Sequence, residues 1–558
     1  MKNFFLIILI ATLSSCAGKK HFDSIIKNGL IYDGNGGLPY KADIGINADT
    51  ITFIGYISGA DGNTITDVKG MPVTPGFINM MGHSEVSLLI DGRGQSDIRQ
   101  GVTTEIFTES SMAPLNADMK KQALQSQGDI KFDVPWNTIG EYMNHVVSKG
   151  ISPNIATLVG TGTIRQFVIG EGNRAPTAIE LDSMRTQVRK AMQEGALGVT
   201  NALIYPPDFF AKTDEIVALA KEASAYGGCY TSHMRSEGDK LIDAVNELIS
   251  ISKQANITAE IHHLKAAGKD NWNKMDSVIA IVNKARSEGL PITADMYNYT
   301  AGGTGLTATM PPTLQDGGFG KLRERLKNKS IREQIKKEMD TKTDKWENFY
   351  YGTGTPSNIL LVGFKQDSLK KYTGKTLAEI AGIRGTSPEE TAMDLIVQDS
   401  TRVETIYFLM DENNVKKEVA LPWTSFGSDE GSYTNEGVFL KSNAHPRAYG
   451  NFARLLGKYV RDEKLISLQQ AIQKLAKLPS QTLKLVKRGE IKVGNYADLV
   501  VFNPATITDH ATFEKPHQYA TGVIHVWING TQVLKDGEHT NAKPGRFLKG
   551  PGYKEAKN

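Results

Sequence analysis

Residues 229–297 read CYTSHMRSEGDKLIDAVNELISISKQANITAEIHHLKAAGKDNWNKMDSVIAIVNKARSEGLPITADMY. Three β-rich runs, 229–234, 257–264 and 292–297, enclose two amphipathic helical segments, 239–254 and 275–286. Strand–helix–strand alternation at this spacing predicts parallel neighbouring strands joined by helical crossovers. Each run also ends on a side chain able to hold a metal or a proton: His233, then His262 with His263, then Asp295.

Extending outward, the same texture recurs at 73–81, 103–108, 155–159, 196–203 and 424–429, with helical segments at 177–193 and 213–225. Eight such strands with helices outside predict an α/β chain folded as a (β/α)8 TIM-like barrel, whose active site gathers at the carboxyl-terminal strand ends. His83, Glu109 and Asp429 stand at three more of those ends. The long spacing before the last strand, at about 311–423 and including the charged stretch 321–345, predicts an insertion over one mouth of the barrel.

The two ends of the chain read differently. Residues 24–72 and segments 494–502 and 523–530 are short strands with Gly- and Asn-rich turns. Neither end has much core of its own, so 21–72 and 485–548 are expected to pair as one small β-sandwich domain flanking a barrel at 73–484.

At the start, Lys2 precedes an apolar run from Phe4 to Leu13 and then Ser14-Ser15-Cys16. The run is shorter than the ~20 residues a spanning helix needs. It resembles a bacterial lipoprotein leader, which implies removal of residues 1–15, a lipid on Cys16, and anchoring to a membrane of the cell envelope on its periplasmic side or at the surface. Among 558 residues, 64 Lys and Arg oppose 61 Asp and Glu, a net charge of +3 that argues against nucleic acid as a partner. Two cysteines exclude a disulfide framework and leave Cys229 as a lone buried thiol.

Two histidines and a carboxylate make a workable catalytic zinc site, leaving a coordination position for water. Asp429 is placed to move the proton of that water. His262, next to His263 on a strand, should point the opposite way and serve packing.

These residues sit in motifs that run through most of the chain: Pro75-Gly76-Phe77-Ile78, Gln100-Gly101-Val102-Thr103-Thr104, Leu203-Ile204-Tyr205-Pro206-Pro207, Thr231-Ser232-His233-Met234-Arg235-Ser236-Glu237-Gly238, His263-Leu264-Lys265, Asp295-Met296-Tyr297, Gly427-Ser428-Asp429 and His445-Pro446-Arg447. In this order they resemble the amidohydrolase superfamily, and within it the N-acyl-D-amino-acid deacylases, or D-aminoacylases. The resemblance implies that His233 and His263 bind metal, that Asp429 is catalytic, and that Tyr205, Lys265, Tyr297 and Arg447 bind the α-carboxylate of a small acylated amino acid.

Two positions depart from that pattern. Met81-Gly82-His83 stands where the superfamily has His-x-His, and Thr108-Glu109-Ser110-Ser111 replaces the expected bridging cysteine. The expectation is one tightly held zinc on Glu109, His233 and His263, with His83 nearby and a carboxylate preferred to the Ser110 hydroxyl as ligand. The expected reaction is hydrolysis of an N-acyl-D-amino acid, or a related acylated D-residue, to a carboxylate and a free amine. A cyclic amidase of the dihydroorotase or hydantoinase type is the alternative chemistry, although 195–203 lacks the lysine such enzymes carbamylate. A metal-poor envelope binding protein is the alternative without catalysis.

Overall fold

A computed structural model describes residues 21–58 and 61–555; the leader and Cys16 lie outside the described residues. Eight parallel strands form the centre: β1 (Phe77–Gly82), β2 (Val102–Phe107), β3 (Asn154–Thr157), β4 (Gly198–Ala202), β5 (Cys229–His233), β6 (Thr258–Ile261), β7 (Ile292–Met296) and β8 (Thr424–Phe426). β1 to β3 pair in order, and β4 to β8 pair in order. Backbone hydrogen bonds of 2.9 Å from Leu197 N to Thr157 O and from Asp429 N to Met81 O knit the two arcs into the barrel anticipated from the sequence.

Alternation along the strands explains why they hold. Ile78, Met80, Ile106, Ala156, Leu158, Leu197 and Cys229 meet in one buried cluster across the first five strands, with Leu483 and Leu485. The opposite faces, including Ile155, Val199, Tyr230 and Ile261, pack on the helices outside. Helix Ala178–Glu194 shows the local logic: Thr177 and Glu180 form a capping box, Met184, Val188 and Met192 recur on its buried face, and left-handed Gly195 ends it. Each such aliphatic side chain contributes about 1.5–3 kcal/mol by leaving water, and truncating one to Ala costs about 2–5 kcal/mol.

The chain ends do meet. Leu499–Phe502 pairs antiparallel with Pro72–Pro75, placing Val500 opposite Thr74. That pairing joins strands from both termini in one nine-stranded sheet. The run read as one strand from 73 is divided at Gly76, where the chain passes from this sheet to the barrel. A Cβ at Gly76 would lie 2.0 Å from Thr103 Oγ1, so only glycine permits the close crossing.

Between β7 and β8 lies a four-stranded sheet, ordered Gly302–Gly305, Glu404–Tyr407, Ile359–Gly363 and Lys375–Thr376. It has its own core, including Leu306, Leu361, Leu377, Ile396 and Tyr407. This unit starts at Gly302, ahead of the boundary near 311 read from the sequence. It also ends earlier, because helix Glu412–Ala420 buries Val415 and Val419 against the barrel residues Phe77, Met296 and Phe426. Among the described residues no helix is long and apolar enough to cross a membrane.

Candidate metal centre and active site

Glu109, just past β2, lies between two imidazoles. Its Oε1 is 2.9 Å from His233 Nδ1 at the end of β5 and 2.9 Å from His263 Nε2, two residues past β6. One carboxylate oxygen thus meets two ring nitrogens. Burial alone would push the Glu109 carboxyl up, but the two imidazoles draw it well below the usual carboxylate range. One carboxylate and two imidazoles, each offering one donor atom to a common point, fit a divalent transition metal of the zinc type. His83, Glu109 and Asp429 form an adjoining group that shares Glu109.

Asp429 sits beside that centre. Its Oδ1 is 3.2 Å from His83 Nε2 and its Oδ2 is 2.8 Å from Arg447 Nη1. Burial raises the Asp429 carboxyl, but Arg447 and the His83 hydrogen bond outweigh it and hold the group at about 2. The Arg447 contact is out of line for a hydrogen bond, so its Nε and Nη1 remain buried donors without an acceptor. Such donors are costly unless a ligand fills them.

Backbone strain marks the same residues. Glu109, His263 and Asp429 have φ of 62°, 35° and 52°, in the left-handed region that non-glycine residues rarely enter. Each turn swings a side chain back over the barrel mouth just beyond a strand end, and such strain persists where the surroundings hold it for function.

The residues expected to bind an α-carboxylate lie around the centre. The Arg447 guanidinium lies 4.3 Å from the Tyr297 ring centroid, and Lys265 Nζ lies 5.5 Å from it. The ring of Tyr205 meets that of His233 edge-on at 5.3 Å. His262 and Asp295, although both at strand ends, leave the cavity: His262 Nδ1 and Asp295 Oδ2 pair at 2.6 Å in the core, as expected for a packing histidine. Ser110, the next residue, is exposed, whereas Glu109 Oε1 meets both histidines at the place where the cysteine is expected.

Three features escape a reading of the sequence. Glu237, four residues after His233, brings Oε1 to 2.9 Å from His263 Nδ1 and 3.8 Å from His233 Nε2, so it faces the outer nitrogens of both histidines. The same oxygen is 2.6 Å from Lys265 Nζ. Glu237 stands within the quoted motif, and its spacing just past β5 was the available signal. Glu347, on the insertion, accepts hydrogen bonds from Ser236 Oγ at 2.8 Å and Glu237 N at 3.1 Å. It lines a cavity of about 790 Å³ between the insertion and the β5 and β6 loops, which none of Glu109, His233, His263 or Asp429 touches. The third is Arg402, which reaches from the insertion to Tyr205.

Comparison with known proteins places this arrangement. A model described as the amidohydrolase family matches residues 64–534. A D-aminoacylase of Alcaligenes xylosoxydans xylosoxydans is 31% identical over 532 residues, covering 94% of this chain and 97% of that one. A crystal structure of D-aminoacylase, 30% identical, covers 95% of this chain and 100% of its own with a TM-score of 0.78. The N-acyl-D-glutamate deacylase of Bordetella bronchiseptica, solved with zinc and a phosphonate mimic of the tetrahedral intermediate, is 26% identical, with the same coverages and a TM-score of 0.79. With a matching family model over most of its length and a metal-ligand set at the barrel mouth, the chain belongs to the amidohydrolase family, alongside the D-aminoacylases, and is a metal-dependent amidohydrolase.

Proposed function

We propose that the protein is a zinc-dependent deacylase that cleaves the amide of N-acyl-D-amino acids to a carboxylate and a free D-amino acid. The observation that carries this reading is Glu109 Oε1 at 2.9 Å from both His233 and His263, with Asp429 and a buried, acceptor-seeking Arg447 beside it. The D configuration rests on the relatives' substrates. Glu109, His233 and His263 would hold a zinc there, which would supply Lewis acidity and activate water.

The chain's own residues supply the rest. Arg447, Lys265, Tyr297 and Tyr205 fix the substrate's α-carboxylate, which sets the acyl carbonyl in one orientation. Asp429, ionised and hydrogen-bonded to His83, takes a proton from the attacking water and returns it to the amide nitrogen as the C–N bond breaks. Linear substrates are favoured over cyclic amides because β4, GVTNA, carries no lysine to carbamylate. Zinc-loaded protein tested on paired N-acetyl-D- and N-acetyl-L-amino acids should turn over the D series; activity confined to the L series or to cyclic amides overturns the proposal.

We further propose that the mature protein begins at Cys16 and is held by lipid in a bacterial envelope membrane. Mass spectrometry of membrane-extracted protein should show a diacylated or triacylated Cys16; a product starting at Met1 counts against it.

A further inference from the structure

The cations around the centre are not equivalent. Lys265 Nζ has the Glu237 carboxylate at 2.6 Å, and Arg447 Nη1 has that of Asp429 at 2.8 Å. Arg402 has none: among the described residues no carboxylate oxygen lies within 4.0 Å of its guanidinium. Glu404, two residues on, acts on it only at longer range.

Arg402 is nevertheless held in place. Its Cζ lies 4.9 Å from the centroid of the Tyr205 ring, whose other neighbour is His233, and its Nη2 donates a 2.7 Å hydrogen bond to Thr304 Oγ1. The side chain lies across Gly305, where a Cβ would approach its Cβ at 2.6 Å and its Nε at 2.8 Å. Glycine there clears the path. A guanidinium stacked on an aromatic ring and tied by one hydroxyl is oriented, still exposed, and has donors to spare. It stands one ring away from a metal-ligating histidine, on the insertion that forms one side of the mouth.

We infer that Arg402 is a specificity-determining residue that binds a second carboxylate of the substrate, so that the preferred substrates are acylated D-residues carrying an anionic group besides the α-carboxylate. This rests on the deacylase reading above and sharpens it. The family relationship does not decide the point, since both a D-aminoacylase and an N-acyl-D-glutamate deacylase resemble this chain. Lys265, paired with Glu237, and Arg447, which faces Asp429 but keeps buried donors open, suit the group common to all such substrates. Arg402, unbalanced, suits the group that distinguishes them. The second carboxylate belongs either to the D-residue's side chain or to the acyl group.

Four substrates separate these sources: N-acetyl-D-glutamate, N-acetyl-D-aspartate, N-succinyl-D-leucine and N-acetyl-D-leucine, each assayed on zinc-loaded wild type, Arg402→Met and Arg402→Lys. The wild type should favour at least one doubly anionic substrate over N-acetyl-D-leucine in kcat/KM. Preference for the first two places the carboxylate on the side chain, and preference for the succinyl compound places it on the acyl group. In Arg402→Met that preference should fall about 10- to 100-fold, chiefly through KM, with partial recovery in Arg402→Lys. Hydrolysis of none of the four overturns the deacylase reading and this inference with it. Preference for N-acetyl-D-leucine, or an equal fall on all four substrates in Arg402→Met, overturns this inference alone.

Discussion

Glu237 and Lys265 meet at 2.6 Å, both buried, and the same Glu237 oxygen is 2.9 Å from His263 Nδ1. One carboxylate therefore neutralises Lys265 and contacts the outer nitrogen of His263, a candidate metal ligand. Partners of this kind fix the imidazole and raise its basicity, and their loss typically costs about 10- to 100-fold in metal affinity. Glu237→Gln keeps the shape but removes the charge. It should weaken zinc binding by about that factor in a competitive chelator titration, with the fold intact by circular dichroism. Unchanged zinc affinity would remove Glu237 from this positioning role.

Glu109 and Ser110 occupy the place where the resemblance leads one to expect a cysteine, and only Glu109 reaches the histidines. Glu109→Gln should lose most of its zinc as measured by elemental analysis, because a neutral amide is a poor ligand and leaves two buried imidazoles without their anion. Ser110→Ala should retain wild-type zinc content. The reverse pattern would mean that the hydroxyl carries the metal.

Asp429 contacts His83 and Arg447 and adjoins the primary ligand set without belonging to it. Asp429→Asn should therefore keep its zinc while kcat falls about 100- to 10,000-fold, the usual weight of a positioned acid–base group. Loss of zinc together with activity would make Asp429 a ligand instead.

Much of this arrangement is legible in the chain because strand-end chemistry follows from a local rule. The β5, β6 and β7 segments are short β-rich runs between amphipathic helices, so His233 and His263 can be placed at one barrel mouth from periodicity alone. What is not legible depends on contacts distant in sequence. Nothing local shows that Asp295 turns inward to His262, that Arg402 from the insertion stacks on Tyr205, or that Glu347 caps Ser236 and Glu237. The break at Gly76 was hidden for a related reason: Thr103, 27 positions on, makes the glycine necessary. Glu237 is intermediate, visible in spacing but without a partner until Lys265 and His263 are folded against it.

Lys474 offers a test of the core rather than the site. It is 5% exposed, its ammonium lies 5.8 Å from the Phe426 ring centroid, and it donates to the Leu421 carbonyl without a carboxylate partner among the described residues. Burial pulls its pKa from 10.5 down to about 7. Below about 7 both the folded and unfolded chains carry the proton, and the folded state bears the full cost of a buried charge. Between about 7 and 10.5 the unfolded chain keeps the proton while the folded chain has released it, so stability rises with pH across that window. The slope contributed is at most about 1.4 kcal/mol per pH unit. Urea denaturation at pH 7, 8 and 9 should show Lys474→Met gaining less stability with pH than the wild type, the difference isolating this group from other titrating side chains. Parallel slopes in the two proteins would show that Lys474 stays charged in the fold, with its ammonium satisfied by the Leu421 carbonyl and the Phe426 ring.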